Sequence, residues 1–541
     1  MTEIDMSRYD SVLQVFDESC ERFADRPAFT CMGKMITYGE LEEKSRYFAA
    51  YLQNHTDLKE GDRIAIQLPN TLMFPVAVFG ALRAGLIVVN TNPLYSEREM
   101  EHQFNDSGAR AIVVLANMAR SVQKVLRLTC LKHVFVTELG DMHPFIKRHT
   151  INKVVKYVKK MVPAYNLPYA IPFRKALALG RKGHWVPTKP SLDDIAILQY
   201  TGGTTGIAKG AMLTHRNLVA NMLQARAVID QVLNEGGETI VAPLPMYHIY
   251  TFTVNCMAMM ELGNHSLLIT NPRDIPGFIK ELKNNHFTGF VGLNTLFVAL
   301  CNRDDFKALD FSSLKLTISG GMALTKAAAE QWKKVTGSDI AEGYGLTETS
   351  PIATINPPNA IQIGSIGKPV PSTEIKVIDL NGKTLAIGQA GELCIRGPQV
   401  MKGYWQQPAE TDKVLTEDGW FMTGDVAVIQ DDGYARIVDR KKDMINMSGF
   451  NVYPNEIEDV LASHPDVLEV AAVGIPDEKS GEAVKVFIVA RNSHLTDKAV
   501  RDWCKKRLTA YKVPRFVEFR DELPKTNVGK VLRRQLRDET N

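Results

Sequence analysis

Cysteine is scarce in this sequence. Its seven cysteines in 541 residues are scattered, odd in number and nowhere spaced Cys-x-x-Cys. That argues against a disulfide framework or a small zinc module and favours a reducing compartment, with the thiols as small buried hydrophobes. Long hydrophobic runs are missing as well. The longest apolar stretch, 72–90, is broken by Arg83 and reads as helix, turn and strand, not a membrane span. Met1 to Asp10 is polar, without the layout of a signal peptide, so the expected location is cytoplasmic. No repeat and no low-complexity segment is present. The most local absence is of negative charge. Between Asp141 and Asp193 there is no acidic residue, while that interval holds eleven Lys and Arg. The net charge of the whole chain is only +3, so the remainder is acidic on balance.

The bulk composition, 45% hydrophobic and 23% charged, is that of a globular protein, and the length calls for at least two domains. Apolar strands such as 63–68, 87–89, 111–115 and 194–200 alternate with amphipathic helices such as 74–83, 96–106 and 118–128. Strand–helix alternation implies a mostly parallel α/β sheet. From about 364 to 436 short strands alternate with Gly and Asn turns, which suggests a small β subdomain. Asp439-Arg440-Lys441-Lys442-Asp443 marks a boundary, giving domains 1–440 and 441–541. Beyond it, helix 454–462, strands 467–474 and 483–490, helix 497–509 and strand 516–519 make a compact α+β domain.

The chemistry-bearing stretch is Tyr200 to Gly210, Y-T-G-G-T-T-G-I-A-K-G. It reads as a loop between strand 194–200 and a helix opened by Thr214 to Asn217. Glycines allow close backbone approach and a convergent set of N–H groups; threonines add hydroxyls and Lys209 a positive charge. This inventory suits a polyphosphate, although no Ser or Thr follows a Gly-Lys pair as in the standard P-loop. Later strands each end in a small-residue or polar loop: Gly320-Gly321 and then Gly343-Tyr344-Gly345-Leu346-Thr347-Glu348. In an open α/β sheet that edge is where ligands bind. The segment 251–262 is apolar on nearly every side, as a core helix or the wall of an apolar pocket would be.

In the acid-free interval, 150–162 places Ile151, Val154, Val155, Val158 and Val162 on one helical side with lysines on the other. A solvated surface helix is one reading. The other is contact of residues 147–182 with an anionic membrane, placing the protein peripherally on the inner face. No nucleic-acid reading module accompanies the patch, so nucleic acid is not an expected partner.

In combination and order, these loops resemble the adenylate-forming superfamily of acyl-CoA synthetases, peptide-synthetase adenylation domains and luciferases. The further motifs are Thr423-Gly424-Asp425, Asp439 to Asp443 and Pro524 to Lys530. Leu244 to Ile249, 268–276 and Met447 to Glu458 look most like bacterial long-chain fatty acid–CoA ligases. The resemblance implies a large N-terminal domain of layered αβ subdomains and a mobile C-terminal domain carrying a catalytic lysine. It implies ATP, Mg²⁺ and coenzyme A as cofactors and cosubstrates, and a fatty acid as the partner they act on; a homodimer is left open.

The same resemblance assigns roles. Lys530 bridges carboxylate and α-phosphate. Lys209 and the loop Thr201, Gly202, Gly203, Thr204, Thr205 and Gly206 hold the phosphates. Glu348, with the Thr201 hydroxyl, binds Mg²⁺. Tyr344 stacks on adenine, with Gly320 and Gly321 leaving room, and Glu342, Gly343, Gly345 and Thr347 belong to the same nucleotide site. Asp425 takes the ribose hydroxyls and Arg440 the ribose or a phosphate. Lys442 is the hinge, and Gly449 faces the coenzyme A tunnel after rotation. His248 flanks the acyl carboxylate and Phe252 gates the acyl tunnel. The alternatives are a medium-chain or aryl carboxylate–CoA ligase, another adenylating enzyme, and a membrane-surface fatty-acid binding or uptake protein.

Overall fold

The computed structural model describes residues 3–201, 208–447, 450–477, 480–525 and 531–539. Two large sheets organise the N-terminal part. The first has seven strands in the order Ile171–Pro172, His133–Thr137, Ala109–Leu115, Arg63–Gln67, Ile87–Asn90, Ile195–Thr201 and Lys209–Thr214. All neighbours are parallel except the last pair. The second has nine strands, with Ile340–Gly345, Leu316–Ser319, Gly289–Gly292, Thr239–Ala242 and His265–Leu268 in its parallel centre. Helix Met73–Arg83 is buried at every position, as an apolar helix must be when covered on all sides. One continuous hydrophobic core joins residues of both sheets to the helices around them.

The β subdomain is a four-stranded antiparallel sheet, Glu374–Ile378, Ala390–Arg396, Phe421–Ile429 and Ala435–Arg440, with its own small core. A five-stranded sheet follows, starting at Ile445–Met447 and centred on the long hairpin Val467–Asp477 and Gly481–Ala490. The mixed α/β architecture and the smaller C-terminal domain are those implied by the sequence.

Two local expectations are corrected. The Gly/Thr-rich loop does not lead into a helix: Lys209–Thr214 is a strand pairing back on Ile195–Thr201, and the helix His215–Ile229 begins only after it. A strand therefore stands between Thr201 and the helix where the sequence pattern implied none. The basic segment also differs. A helix runs from Phe145 to Lys153 and continues as a π-helical turn over Val154–Val158. A π turn holds more residues per turn than an α-helix, so the apolar face loses phase. Ile151, Val155 and Val162 turn partly inward, whereas Val154, Tyr157 and Val158 face solvent.

Helix His215–Ile229 is fixed to the nine-stranded sheet by one amide. Asn221 Nδ2 donates to the Ile352 carbonyl at 2.7 Å and its Oδ1 accepts the Ile352 N–H at 2.9 Å. The side chain thus acts as a strand neighbour for Ile352–Ile355, in a fully buried position. Asn221→Leu should strand both backbone groups and lower stability by about 2–6 kcal/mol, from ~1–3 kcal/mol per unsatisfied group. A urea-denaturation midpoint equal to that of the wild type would refute this.

Candidate active site

The cleft lies between the carboxyl edge of the nine-stranded sheet, the hairpin Ile195–Thr201/Lys209–Thr214 and the β subdomain, and has a volume of about 1160 Å³. Strand order explains its composition. Ser319 to Gly321 and Gly343 to Glu348 are the ends of neighbouring parallel strands, so their loops open on the same side. Gly345 has no room for a side chain: a Cβ there would lie 1.8 Å from the Pro351 carbonyl oxygen. Gly321 adopts φ +86° in open space, a conformation glycine reaches without strain.

Tyr344, Asp425 and Arg440 meet at one point. The Tyr344 hydroxyl donates to Asp425 Oδ2 at 2.6 Å, and Arg440 Nε lies 3.2 Å from Asp425 Oδ1. Asp425 and Arg440 are direct cross-strand partners, which holds the pair in register. Burial, then the Asp425 charge, push the Tyr344 phenol far above its ordinary range. Asp425 itself is 3% exposed, and a charge in such a place needs these partners.

Lys209 and Thr201 face each other across the hairpin and both line the cleft. Lys209 is ion-paired with Glu410 and its ammonium lies 5.1 Å from the centroid of the Tyr404 ring. Glu348 sits in the short turn Thr347–Thr349 after the strand Ile340–Gly345. Its buried carboxylate accepts the Tyr404 hydroxyl at 2.8 Å, and desolvation raises its pKa. Lys442 lines the cleft in the turn between Ala435–Arg440 and Ile445–Met447. Lys530, Gly449 and the loop residues Gly202, Gly203, Thr204, Thr205 and Gly206 lie outside the described residues.

His248 caps the turn Ile249–Thr251, its Nδ1 accepting the Tyr250 N–H at 3.3 Å, and it lines the cleft. Beyond it the wall becomes apolar: Val228 and Ile229 on one side, and Val254, Ala258 and Met259 on the other. The second wall is a π-helical stretch, Phe252–Ala258, between two short α turns. Such π segments recur at functional sites. Phe252 is not part of this wall. Its ring is fully buried, 6.5 Å from the Phe79 ring centroid, and it packs the core beneath. Gly320, by contrast, lines the cleft with Tyr344; a Cβ there would meet the Tyr250 ring at 3.1 Å.

Three polar residues that sequence reasoning missed, Tyr404, Glu410 and Lys413, come from one segment, Met401 to Lys413. Lys402 N–H donates to the Met212 carbonyl at 3.0 Å, Met212 N–H to Gly403 at 2.9 Å and Trp405 N–H to Gly210 at 2.8 Å. These bonds lay the segment along the hairpin arm and bring Tyr404, Glu410 and Lys413 to the cleft. Nothing local signals this, because a Gly-Tyr-Trp run followed by a Pro-initiated turn is ordinary surface sequence. The geometry as a whole offers cations and hydroxyls for a polyanion at one end and an apolar branch at the other.

The description "AMP-binding enzyme" belongs to a family model that matches residues 16–405, and "AMP-binding enzyme C-terminal domain" to one that matches 456–530. The chain belongs to the AMP-binding enzyme family. It is 55% identical over 539 residues to a long-chain-fatty-acid–CoA ligase of Escherichia coli O157:H7, covering 99% of this chain and 96% of that relative. A long-chain-fatty-acid–CoA ligase of Bacillus subtilis is 37% identical, over 97% of this chain and 94% of the relative. Among solved structures, ATP-bound MatB from Rhodopseudomonas palustris matches with TM-score 0.83 at 26% identity, over 97% of this chain and 98% of that one. The anthranilate CoA ligase AuaEII, crystallised with anthranoyl-AMP, shares the fold at TM-score 0.87 and 24% identity, over 98% of both chains.

Glu342 lies behind the cleft on the strand Ile340–Gly345 and accepts the Leu324 N–H at 2.9 Å. Desolvation pushes its carboxyl up to about 8 from an ordinary 4.5. The folded protein therefore keeps a proton that the unfolded chain has released. This contribution to stability is complete below about pH 4.5 and is lost as pH rises through about 8. Glu342→Gln should flatten the decline of stability across that window, measured as urea midpoint against pH. Parallel curves for the two proteins would show that Glu342 does not titrate there.

Proposed function

We propose that this chain is an AMP-forming long-chain fatty acid–CoA ligase. The observation that carries the reading is the continuity of the cleft. A cation- and carboxylate-lined end, with Lys209, Glu348 and Arg440, runs into an apolar branch lined by Val228, Val254 and Met259. This lies in a chain 55% identical along its length to a ligase of that name. In the first half-reaction a fatty-acid carboxylate oxygen attacks the α-phosphorus of ATP. The bond to the β-phosphate oxygen breaks, giving acyl-AMP and pyrophosphate. In the second, the coenzyme A sulfur attacks the acyl carbon, AMP departs with the C–O electron pair, and the thiol proton passes to solvent.

The residues divide this work by charge. Lys209 neutralises the outer phosphates as negative charge moves onto the departing pyrophosphate. Asp425, already held by Tyr344 and Arg440, accepts the ribose hydroxyls, and Tyr344 offers its ring to the base. His248 stands where the apolar branch meets the polar end and orients the carboxylate. Lys530, from the Pro524 to Lys530 motif, completes the first half-reaction. Rotation about Lys442 then replaces it with the face that includes Gly449, a closure of the kind that often limits turnover.

The site also fits magnesium. Among the described residues no group of three or more His, Cys, Asp or Glu is arranged around a metal. The donors that face the phosphate end are the Glu348 carboxylate and the Thr201 hydroxyl, which suits a hard cation that keeps waters and phosphate oxygens. Held by those two residues, Mg²⁺ would neutralise phosphate charge.

Pyrophosphate release with ATP and Mg²⁺ should peak with palmitate, couple to coenzyme A and leave acetate and benzoate as poor substrates, whereas a maximum with octanoate would make the chain a medium-chain ligase. A maximum with benzoate would move the chain to the aryl branch. Release from no acid would support a binding or uptake protein instead.

A peripheral membrane contact is part of the same reading. No helix among the described residues is long and apolar enough to cross a membrane. Around the basic residues of 147–182, however, Ile146 is 80% exposed and Tyr169 91%, with Phe145, Tyr157, Val158 and Met161 also exposed. Aromatic and aliphatic side chains set among lysines match an anionic lipid surface, at ~1 kcal/mol per basic residue. Reversing the charges of Lys153, Lys156, Lys159 and Lys160 should cut binding to phosphatidylserine vesicles at least tenfold at low salt. Binding that survives reversal would make the segment a structural one.

A further inference from the structure

Glu410 has no counterpart in the chemistry described so far, yet it holds the cation that the reaction uses. Its carboxylate is ion-paired with Lys209 on one oxygen and with Lys413 on the other. Both lysines line the cleft. The two charges hold the Glu410 carboxyl down to about 2, Lys209 contributing first. The pair is partly covered, with 18% of the Lys209 side chain and 30% of Glu410 exposed. A second link runs through the same segment. Tyr404 lies under the Lys209 ammonium and gives its hydroxyl to Glu348, and its N–H donates to Thr411 Oγ1 at 2.9 Å, next to Glu410.

We propose that Glu410 is a positioning residue that stands in for the nucleotide's phosphate: it holds the Lys209 ammonium in the cleft until ATP arrives, and then stays paired with Lys413 alone. The physical reason is competition for one ammonium. A lysine carries a compact charge on a flexible stem with several rotatable bonds, so an unpaired Lys209 would sample many positions. Pairing with Glu410 over the Tyr404 face keeps it aimed, but an anion that takes Lys209 must displace that carboxylate. ATP binding is therefore opposed by the free-state pair and by the repulsion between Glu410 and the triphosphate. Lys413 removes part of that opposition by keeping Glu410 compensated after exchange. The segment Met401 to Lys413 thus couples the phosphate-binding lysine to the carboxylate Glu348 through Tyr404.

This inference rests on the reading of Lys209 as a phosphate ligand, and the test separates the two. The dissociation constant of MgATP is measured by calorimetry on the full chain without fatty acid, together with the ATP KM and kcat of pyrophosphate release. Glu410→Gln should bind MgATP about three- to tenfold more tightly and lower the ATP KM, with kcat reduced because Lys209 is less well aimed. Glu410→Asp should return both toward wild type. Lys413→Ala should weaken MgATP binding, since Glu410 then has no second partner. Glu410→Gln binding MgATP with unchanged or weaker affinity would overturn the proposal and leave Glu410 as an anchor of its segment. Failure of the wild type to bind MgATP would overturn the ligase reading itself. Thermal midpoints of the variants within two or three degrees of wild type exclude misfolding as the cause of any difference.

Discussion

Two buried carboxylates at the mouth of the cleft are each held by a tyrosine hydroxyl, and the two bonds cross the same seam in opposite directions. Tyr344, on the nine-stranded sheet, donates to Asp425 of the β subdomain. Tyr404, on the segment that leads into the subdomain's third strand, donates back to Glu348 beside the nine-stranded sheet. A carboxylate removed from water without partners costs several kcal/mol, and each tyrosine hydroxyl offsets part of that cost where the seam closes over its carboxylate. The rest of the site depends on this closure. It sets the Asp425–Arg440 pair against Tyr344 and ties the Met401 to Lys413 segment, which carries Glu410 to Lys209, to the turn that holds Glu348.

The cleft divides because its two walls have different origins. The polar end is built from loops at the carboxyl ends of parallel strands, where backbone polar groups are free to meet a ligand. The apolar branch is built from two buried helices, His215–Ile229 and the π-helical stretch Phe252–Ala258, whose backbone groups are internally satisfied and whose side chains alone face the cavity. His248 marks the junction by capping the second helix. One chain can therefore bind a polyanion and an alkyl chain within a single cavity, with the carboxylate of the second held beside the phosphates of the first.

The acid-free interval follows a different logic. Its basic residues have few internal partners; Lys147 donates to the Met32 carbonyl at 2.9 Å, but most of the others point outward beside exposed aromatic and aliphatic groups. The π turn exposes Val154 and Val158, which a regular helix would have turned in with Ile151 and Val155. That exposure is costly in water unless another surface covers it.

Much of this protein was readable from residue order alone. Strand–helix alternation determined the α/β architecture, because period-2 and period-3.6 patterns are local properties of the chain. The helix Pro454–Ala462 and the strand Phe516–Phe519 appear with the limits their patterns implied. The residues Lys209, Glu348, Tyr344, Asp425 and Arg440 were legible as a set because each belongs to a motif of the family resemblance, while their meeting from three different sheets is a matter of the fold. Tertiary structure alone decided the rest. Lys209–Thr214 is too short and mixed for its pattern to separate strand from helix entry, and only pairing with Ile195–Thr201 settles it. Phe252 has the character of a tunnel residue, but the facing of the π-helical stretch turned its ring toward Phe79 and put Val254 and Met259 on the cavity. Glu410 is 201 residues from Lys209, and Tyr404 is 56 residues from Glu348. Such partnerships are formed by packing, and no local pattern in a single sequence encodes them.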